Sequence, residues 1–119
     1  MLNSIKCGDA KKELKKIESN SINLIFTSPP YGKQRRNNYD SIPPDEYVSW
    51  FNPIADELYR ALDDTGSFVL NIKESVVDGE RHTYVLDLIN SLIEDTEKRW
   101  YWIEEYIWYK KNSFQGKCP

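Results

Sequence analysis

Two spacings of apolar residues alternate along this 119-residue chain. Short β-branched or aromatic runs predict strands at 4–7, 22–27, 67–72 and 100–110. Apolar residues at helical spacing predict helices at 9–18, 44–62 and 83–98. Alternating strands and helices are typical of an α/β domain with a mainly parallel sheet. We therefore expect the carboxyl ends of the strands to lie along one rim.

The helix at 44–62 has the clearest pattern. Pro44 and the acidic residues after it favour a helix start there. Apolar side chains at helical spacing are expected to form core, namely Tyr47, Phe51, Ile54, Leu58 and Leu62. Pro53 is expected to kink or restart the helix. The segment 63–66 predicts a turn, with Gly66 suited to a positive φ.

The strand at 22–27 leads directly into Ser28-Pro29-Pro30-Tyr31. From Ile22 to Phe26 the strand is apolar except for Asn23, which is expected of a central strand covered on both faces. The two prolines must end the strand because neither can donate to a sheet hydrogen bond. Ligands of open α/β sheets bind beyond the carboxyl ends of the strands. This rigid polar turn is therefore a candidate active site.

Thr27-Ser28-Pro29-Pro30-Tyr31 resembles the catalytic motif of the S-adenosylmethionine-dependent DNA methyltransferases that modify cytosine N4 or adenine N6. The segments 7–10, 64–71 and 108–112 resemble further family segments in the family's order, so the resemblance covers essentially the whole chain. It implies a Rossmann-like methyltransferase sheet, double-stranded DNA as the partner, and DNA methylation of the restriction-modification kind. Some family members place the catalytic half before the target-recognition and cofactor-binding parts. Residues 1–119 resemble that catalytic half.

The resemblance also implies a role for each residue of the turn. Ser28 Oγ and the Pro29 carbonyl would accept the hydrogens of the target amine, whose lone pair is otherwise delocalised into the base. Pro30 would stiffen the turn. Tyr31 would stack on the extruded base, with packing over the prolines as the alternative. Serine at the first motif position usually accompanies cytosine N4, so Ser28 favours cytosine N4, and adenine N6 is the alternative.

Asp9 and Thr27 are the positions that the resemblance assigns to S-adenosylmethionine. Asp9 is equally suited to cap the helix at 9–18. The family's glycine loop and the acidic residue for the donor's ribose do not appear in the sequence, so the cofactor site and its strands are expected to be absent and the sheet incomplete. Because exposed strand edges are rarely left open, we expect a complementary polypeptide or a homodimer partner, unless the chain is a fragment. An inactive binding module is the alternative function.

The net charge of −3 is not that of a dedicated nucleic-acid binder, so the placement of the cations matters more than their sum. One group of cations follows the candidate turn and consists of Lys33, Arg35 and Arg36. A second group, Lys110 and Lys111, lies at the end of the last predicted strand. Both groups could neutralise DNA phosphates.

The remaining composition narrows the class of protein. Two cysteines in unrelated contexts and a single histidine indicate no metal site and no disulfide framework. No apolar run approaches the roughly 18 residues that a membrane span requires, and the first residues lack a signal-peptide pattern. A cytoplasmic enzyme is therefore expected.

Overall fold

The computed structural model describes residues 3–32 and 42–111. Its helices are α1 (Ala10–Leu14), α2 (Tyr47–Ala61) and α3 (Tyr84–Glu94), with a 3-10 turn at Pro44–Glu46 before α2. Its strands are β1 (Ile22–Thr27), β2 (Leu62–Leu70), β3 (Val76–Val77) and β4 (Glu80–Arg81). β1 and β2 pair in parallel, whereas β3 and β4 form a small antiparallel hairpin. The predicted α/β class with a parallel sheet is confirmed.

The core lies between the helices α2 and α3 and one face of the β1–β2 pair. Its buried members come from the two helices: Tyr47, Phe51, Ala55, Leu58, Tyr84, Val85 and Leu88. Ile25 of β1 and Phe68 and Leu70 of β2 pack against them. The helical spacing therefore identified the buried face of α2, although Ile54 and Leu62 are only partly buried.

Pro53 lies inside α2 without interrupting it. The 3-10 turn and α2 together span the predicted 44–62 to within one residue, so the helix does not restart at the proline. Packing of the apolar face against α3 and the sheet offsets the one backbone hydrogen bond that Pro53 cannot donate.

The strands predicted at 4–7 and 100–110 are not formed. Residues 4–7 have no regular structure, and Ile5 is 99% exposed. Residues 101–110 are likewise exposed and without regular structure, whereas Trp100 before them packs against the Phe68 ring at 4.9 Å. Aromatic and β-branched residues become a strand only where a neighbouring edge supplies hydrogen bonds. Within the described ranges no strand pairs with either segment.

Only one face of β1 is covered, which corrects the expectation of a strand buried on both. Ile25 faces the helices, whereas Leu24 is 62% and Phe26 67% exposed. Val69 of β2, which is 39% exposed, lies opposite Phe26. Side chains alternate along a strand, and α2 and α3 cover a single side of the pair. The other side is an exposed apolar surface, here called the open face, formed by Leu24, Phe26 and Val69.

The segment predicted as a turn at 63–66 lies within β2. The pairing jumps from Ile22 opposite Leu62 to Leu24 opposite Ser67, so β2 carries extra residues between these two pairs. Gly66 does not have the expected positive φ. A glycine is needed there for space, because a Cβ would lie 2.7 Å from Leu62 Cδ1.

Candidate active site at the carboxyl end of β1

The chain leaves β1 beside the end of β2, so residues 28–32 lie at the predicted rim of the sheet. Thr27 is paired with Leu70, the last residue of β2. Asn71 then donates its backbone N–H to the Thr27 carbonyl at 2.9 Å. The ends of two parallel strands are thus tied together where the candidate turn begins.

Ser28 is exposed at this rim, and Asn71 holds its side chain. The Asn71 side chain donates from Nδ2 to Ser28 Oγ at 2.9 Å. A hydroxyl carries two acceptor positions and one hydrogen. The bond from Asn71 fills one of the two acceptor positions.

The two proline carbonyls differ in their surroundings. Tyr47 donates its hydroxyl hydrogen to the Pro30 carbonyl at 2.5 Å. Pro29 is a buried residue, and its carbonyl lies next in the chain to the exposed Ser28. Ser28 Oγ and the Pro29 carbonyl are therefore two neighbouring acceptors of the turn.

Gly32 ends the turn against the ring of Tyr84. Its N–H donates to the Tyr84 hydroxyl oxygen at 3.2 Å, and that hydroxyl donates in turn to the Lys73 carbonyl. A Cβ on Gly32 would lie 3.0 Å from Tyr84 Cζ, so the close approach favours glycine. Lys73 follows β2, so the segment after β2 holds the turn at both of its ends.

Burial keeps the two tyrosine hydroxyls of this site in their neutral form. Burial raises the pKa of Tyr47, and the nearby Tyr84 and Tyr31 add to the rise. Burial also raises the pKa of Tyr84, with a contribution from Tyr31, against the lowering effect of the Gly32 N–H bond. Both hydroxyls therefore keep the hydrogen that they donate at neutral pH. Tyr31, which is half-buried, lies close to both.

The two residues assigned to the methyl donor are not joined into a site. Asp9 is exposed and caps α1, since its Oδ1 accepts from the Lys12 N–H at 3.1 Å. Thr27 is half-buried at the end of β1. Among the described residues no hydrogen bond connects Asp9 with Thr27 or with the turn. One capping carboxylate and one strand hydroxyl do not make a complete site for S-adenosylmethionine.

The structure describes two of the five residues that are predicted to contact phosphates. Lys33, Arg35 and Arg36 lie outside the described residues. Lys110 and Lys111 are exposed, and Lys110 Nζ lies 4.8 Å from the centre of the Trp108 ring. Their expected position at the end of a strand is wrong, because 100–110 is not a strand. A contact between these lysines and DNA stays a prediction.

No cluster of three or more potential metal-ligating side chains occurs in 3–32 and 42–111. No helix in those ranges is both long and apolar enough to span a bilayer.

Sequence reasoning missed three residues that hold the turn. The helical spacing of Tyr47 predicts only apolar packing, and spacing does not reveal where the hydroxyl of Tyr47 or Tyr84 points. Asn71 had a usable signal that was not drawn on: it lies near the carboxyl end of the strand predicted at 67–72, and the ends of parallel strands share one rim of the sheet.

Several known proteins are similar in sequence to this chain. Residues 22–117 match the model of a family of N6/N4 methyltransferases, which is described as DNA methylase. The type II methyltransferase M.PvuII of Proteus hauseri is 30% identical over 108 residues, which cover 89% of this chain and 32% of that protein. M.BglII of Bacillus subtilis is 29% identical over 120 residues, which cover 98% of this chain and 33% of that protein.

A solved structure has the same fold. The PvuII DNA methyltransferase, described as cytosine-N4-specific, matches with a TM-score of 0.63 and 31% identity over 74% of this chain and 32% of that one. This chain therefore spans about a third of the length of these relatives. The family match and the structural match agree on an α/β methyltransferase fold. The chain belongs to the DNA methylase family of N6/N4 amino-methyltransferases.

Proposed function

We propose that residues 1–119 form the catalytic half of a DNA methyltransferase that transfers a methyl group to cytosine N4, and that residues 28–31 bind the target base. One observation carries the proposal: two acceptors, Ser28 Oγ and the Pro29 carbonyl, are adjacent on a turn fixed at the sheet rim. The name of the solved relative, which is cytosine-N4-specific, supports the choice of base.

The chemistry of an exocyclic amine explains the need for two acceptors. The nitrogen lone pair is delocalised into the ring, so the amine is a poor nucleophile until it becomes more tetrahedral. Ser28 Oγ and the Pro29 carbonyl each accept one amine hydrogen and thereby favour that geometry. Because Asn71 and Tyr47 already hold the turn, these dipoles need no reorganisation when the reaction occurs.

The target base must leave the duplex to reach this turn. Tyr31 is half-buried at the end of the turn and lies close to Tyr47 and Tyr84. Its ring stacks on the extruded base in this proposal. Stacking on an aromatic side chain contributes about 1–3 kcal/mol per base, which offsets part of the cost of extrusion.

S-adenosylmethionine supplies the methyl group in this family. The described residues do not form its site, so in this proposal Asp9 and Thr27 contribute at most an edge, and the rest of the donor site belongs to other parts of the complete enzyme. A complementary polypeptide or a second copy would cover the open face and the free side of β1. The cations Lys33, Arg35, Arg36, Lys110 and Lys111 are the proposed phosphate contacts along double-stranded DNA.

Adenine N6 is the alternative target. A DNA adenine methyltransferase, YhdJ of Escherichia coli (strain K12), is 36% identical over 72 residues, which cover 58% of this chain and 24% of that protein. An inactive binding module is the alternative from another class.

Nucleoside mass spectrometry separates these functions. DNA is incubated with labelled S-adenosylmethionine and the enzyme that contains this chain, then digested. We expect labelled N4-methylcytosine. Labelled N6-methyladenine instead would contradict the cytosine assignment, and DNA binding without any label would support the module.

A further inference from the structure

Two buried tyrosines from different helices bind the backbone on either side of Tyr31. Tyr47 of α2 donates its hydroxyl to the carbonyl of Pro30, the residue before. Tyr84 at the start of α3 accepts the N–H of Gly32, the residue after. Both side chains are fully buried, and their ring centres are 4.8 Å apart.

We propose that Tyr47 and Tyr84 are positioning residues for the reaction, because their hydroxyls fix the backbone that directs the Tyr31 ring and the neighbouring Pro29 carbonyl. This inference rests on the proposed function. It assigns the two tyrosines no contact with substrate: they act only through Pro30 and Gly32.

A purely structural role of Tyr47 and Tyr84 would not explain why the two side chains carry hydroxyls. A phenylalanine would fill nearly the same space between α2, α3 and the sheet without a buried polar atom, and burying a hydroxyl is costly unless it is hydrogen-bonded. Here both hydroxyls are directed at the same short turn. Tyr84 also donates to the Lys73 carbonyl, so it connects the turn to the segment that carries Asn71.

The direction of each hydrogen bond is consistent with this role. The Tyr84 hydroxyl accepts from Gly32 and donates to Lys73, which uses its hydrogen and one lone pair. Tyr47 uses its hydrogen on Pro30. Both hydroxyls carry their hydrogen at neutral pH, and burial raises the pKa of each further.

The activity test uses Tyr47→Phe and Tyr84→Phe in the active enzyme that contains this chain. Each variant should lower kcat by about 10- to 100-fold, the scale of a small misplacement at a reacting centre, while the KM for S-adenosylmethionine stays within about two-fold. Tyr59→Phe is the matched control, since Tyr59 lies on α2, is 37% exposed and has its ring 5.4 Å from Trp100. Unchanged kcat in both Tyr47→Phe and Tyr84→Phe would overturn the inference.

A second readout does not depend on activity. Amide hydrogen exchange measured by NMR on this chain should show faster exchange at Gly32 by about 10-fold in Tyr84→Phe, and no change in Tyr59→Phe. Gly32→Ala disturbs the same contact from the other side and should lower kcat in the same way, because its Cβ would lie 3.0 Å from Tyr84 Cζ. The faster exchange should be confined to the turn, and unchanged exchange at Gly32 would contradict the role of Tyr84 whatever the activity of the variant.

These outcomes differ from a failure of the proposed function. If Ser28→Ala abolishes methylation while both phenylalanine variants stay fully active, only the positioning role is wrong. If Ser28→Ala itself stays fully active, the proposed function is wrong.

Discussion

Asn71 Nδ2 donates a hydrogen bond to Ser28 Oγ at 2.9 Å, across the ends of two parallel strands. The same residue donates its backbone N–H to the Thr27 carbonyl, so one asparagine fixes both the end of β1 and the side chain that follows it. Residues distant in sequence thereby hold the hydroxyl in place before any substrate arrives. This preorganisation is the physical basis of the proposed function.

Asn71→Ala should lower the methylation rate by about 10-fold, because Ser28 keeps its hydroxyl but loses the donor that orients it. The backbone bond to Thr27 remains, so folding should be retained. The informative measurement is a double-mutant cycle with Ser28→Ala. The double variant should be no slower than Ser28→Ala alone, since both changes act on one interaction. Additive losses would mean that Asn71 acts elsewhere.

Tyr31→Ala should weaken binding to DNA with a mismatched target base by about 1–3 kcal/mol, the range for stacking of a base on an aromatic ring. Tyr31→Phe should be nearly neutral because the ring is kept. Equilibrium titration of fluorescent duplexes measures both variants. An equal loss in the phenylalanine variant would show that the hydroxyl, and not stacking, is responsible.

Alkaline pH should destabilise the folded chain through Tyr47 and Tyr84. The pKa of each is raised in the folded state above its ordinary value of 10.0, so the unfolded chain loses these protons first. The stability they contribute is fully present below the unfolded pKa and is lost as pH rises through the folded pKa, at up to about 1.4 kcal/mol per pH unit for each tyrosine between the two values.

Urea unfolding at about pH 8 and about pH 11 measures this dependence. Tyr47→Phe should show a smaller alkaline loss than the wild type, and the exposed Tyr59→Phe should not. Identical losses in all three proteins would place the titration on other groups.

The spacing and type of neighbouring residues predicted those features of the fold that depend on neighbouring residues alone. The spacing of Tyr47, Phe51 and Leu58 identified the buried face of α2 because periodicity alone decides which side of a helix is apolar. The prolines after Thr27 located the end of β1 because their backbone chemistry excludes a longer strand. The candidate turn was therefore found from the sequence together with its position at the rim.

Features that depend on distant partners were not predictable in the same way. The aromatic run at 100–110 has strand composition but pairs with no described strand. Gly66 signalled a turn, whereas its actual role is to let Leu62 approach closely. The hydroxyls of Tyr47 and Tyr84 reach the turn only through the packing of two helices, which no spacing rule reports.

The isolated chain should associate through the open face and the neighbouring side of β1, with itself or with a second polypeptide. Leu24 and Phe26 are mostly exposed, and in 3–32 and 42–111 no second strand pairs with β1, an arrangement that favours association. The edge expected at 4–7 is not available, because that segment is not a strand.

Light scattering over a range of concentrations tests this association. Phe26→Ser should weaken it, whereas Val76→Ser, an equally exposed position on the small hairpin, should not. Titration with S-adenosylmethionine should show weak binding or none. A folded monomer that binds the donor at micromolar concentration would contradict this account.

The most direct test of the central claim is the single-turnover methylation rate of Ser28→Ala in the active enzyme that contains this chain. If Ser28 Oγ accepts an amine hydrogen, the rate should fall by about 10²–10³, the scale for losing one preorganised partner, while DNA affinity changes little. Ser67→Ala, an exposed serine on β2, is the control and should match the wild type. Equal rates for wild type and Ser28→Ala would contradict the claim that this turn activates the target amine.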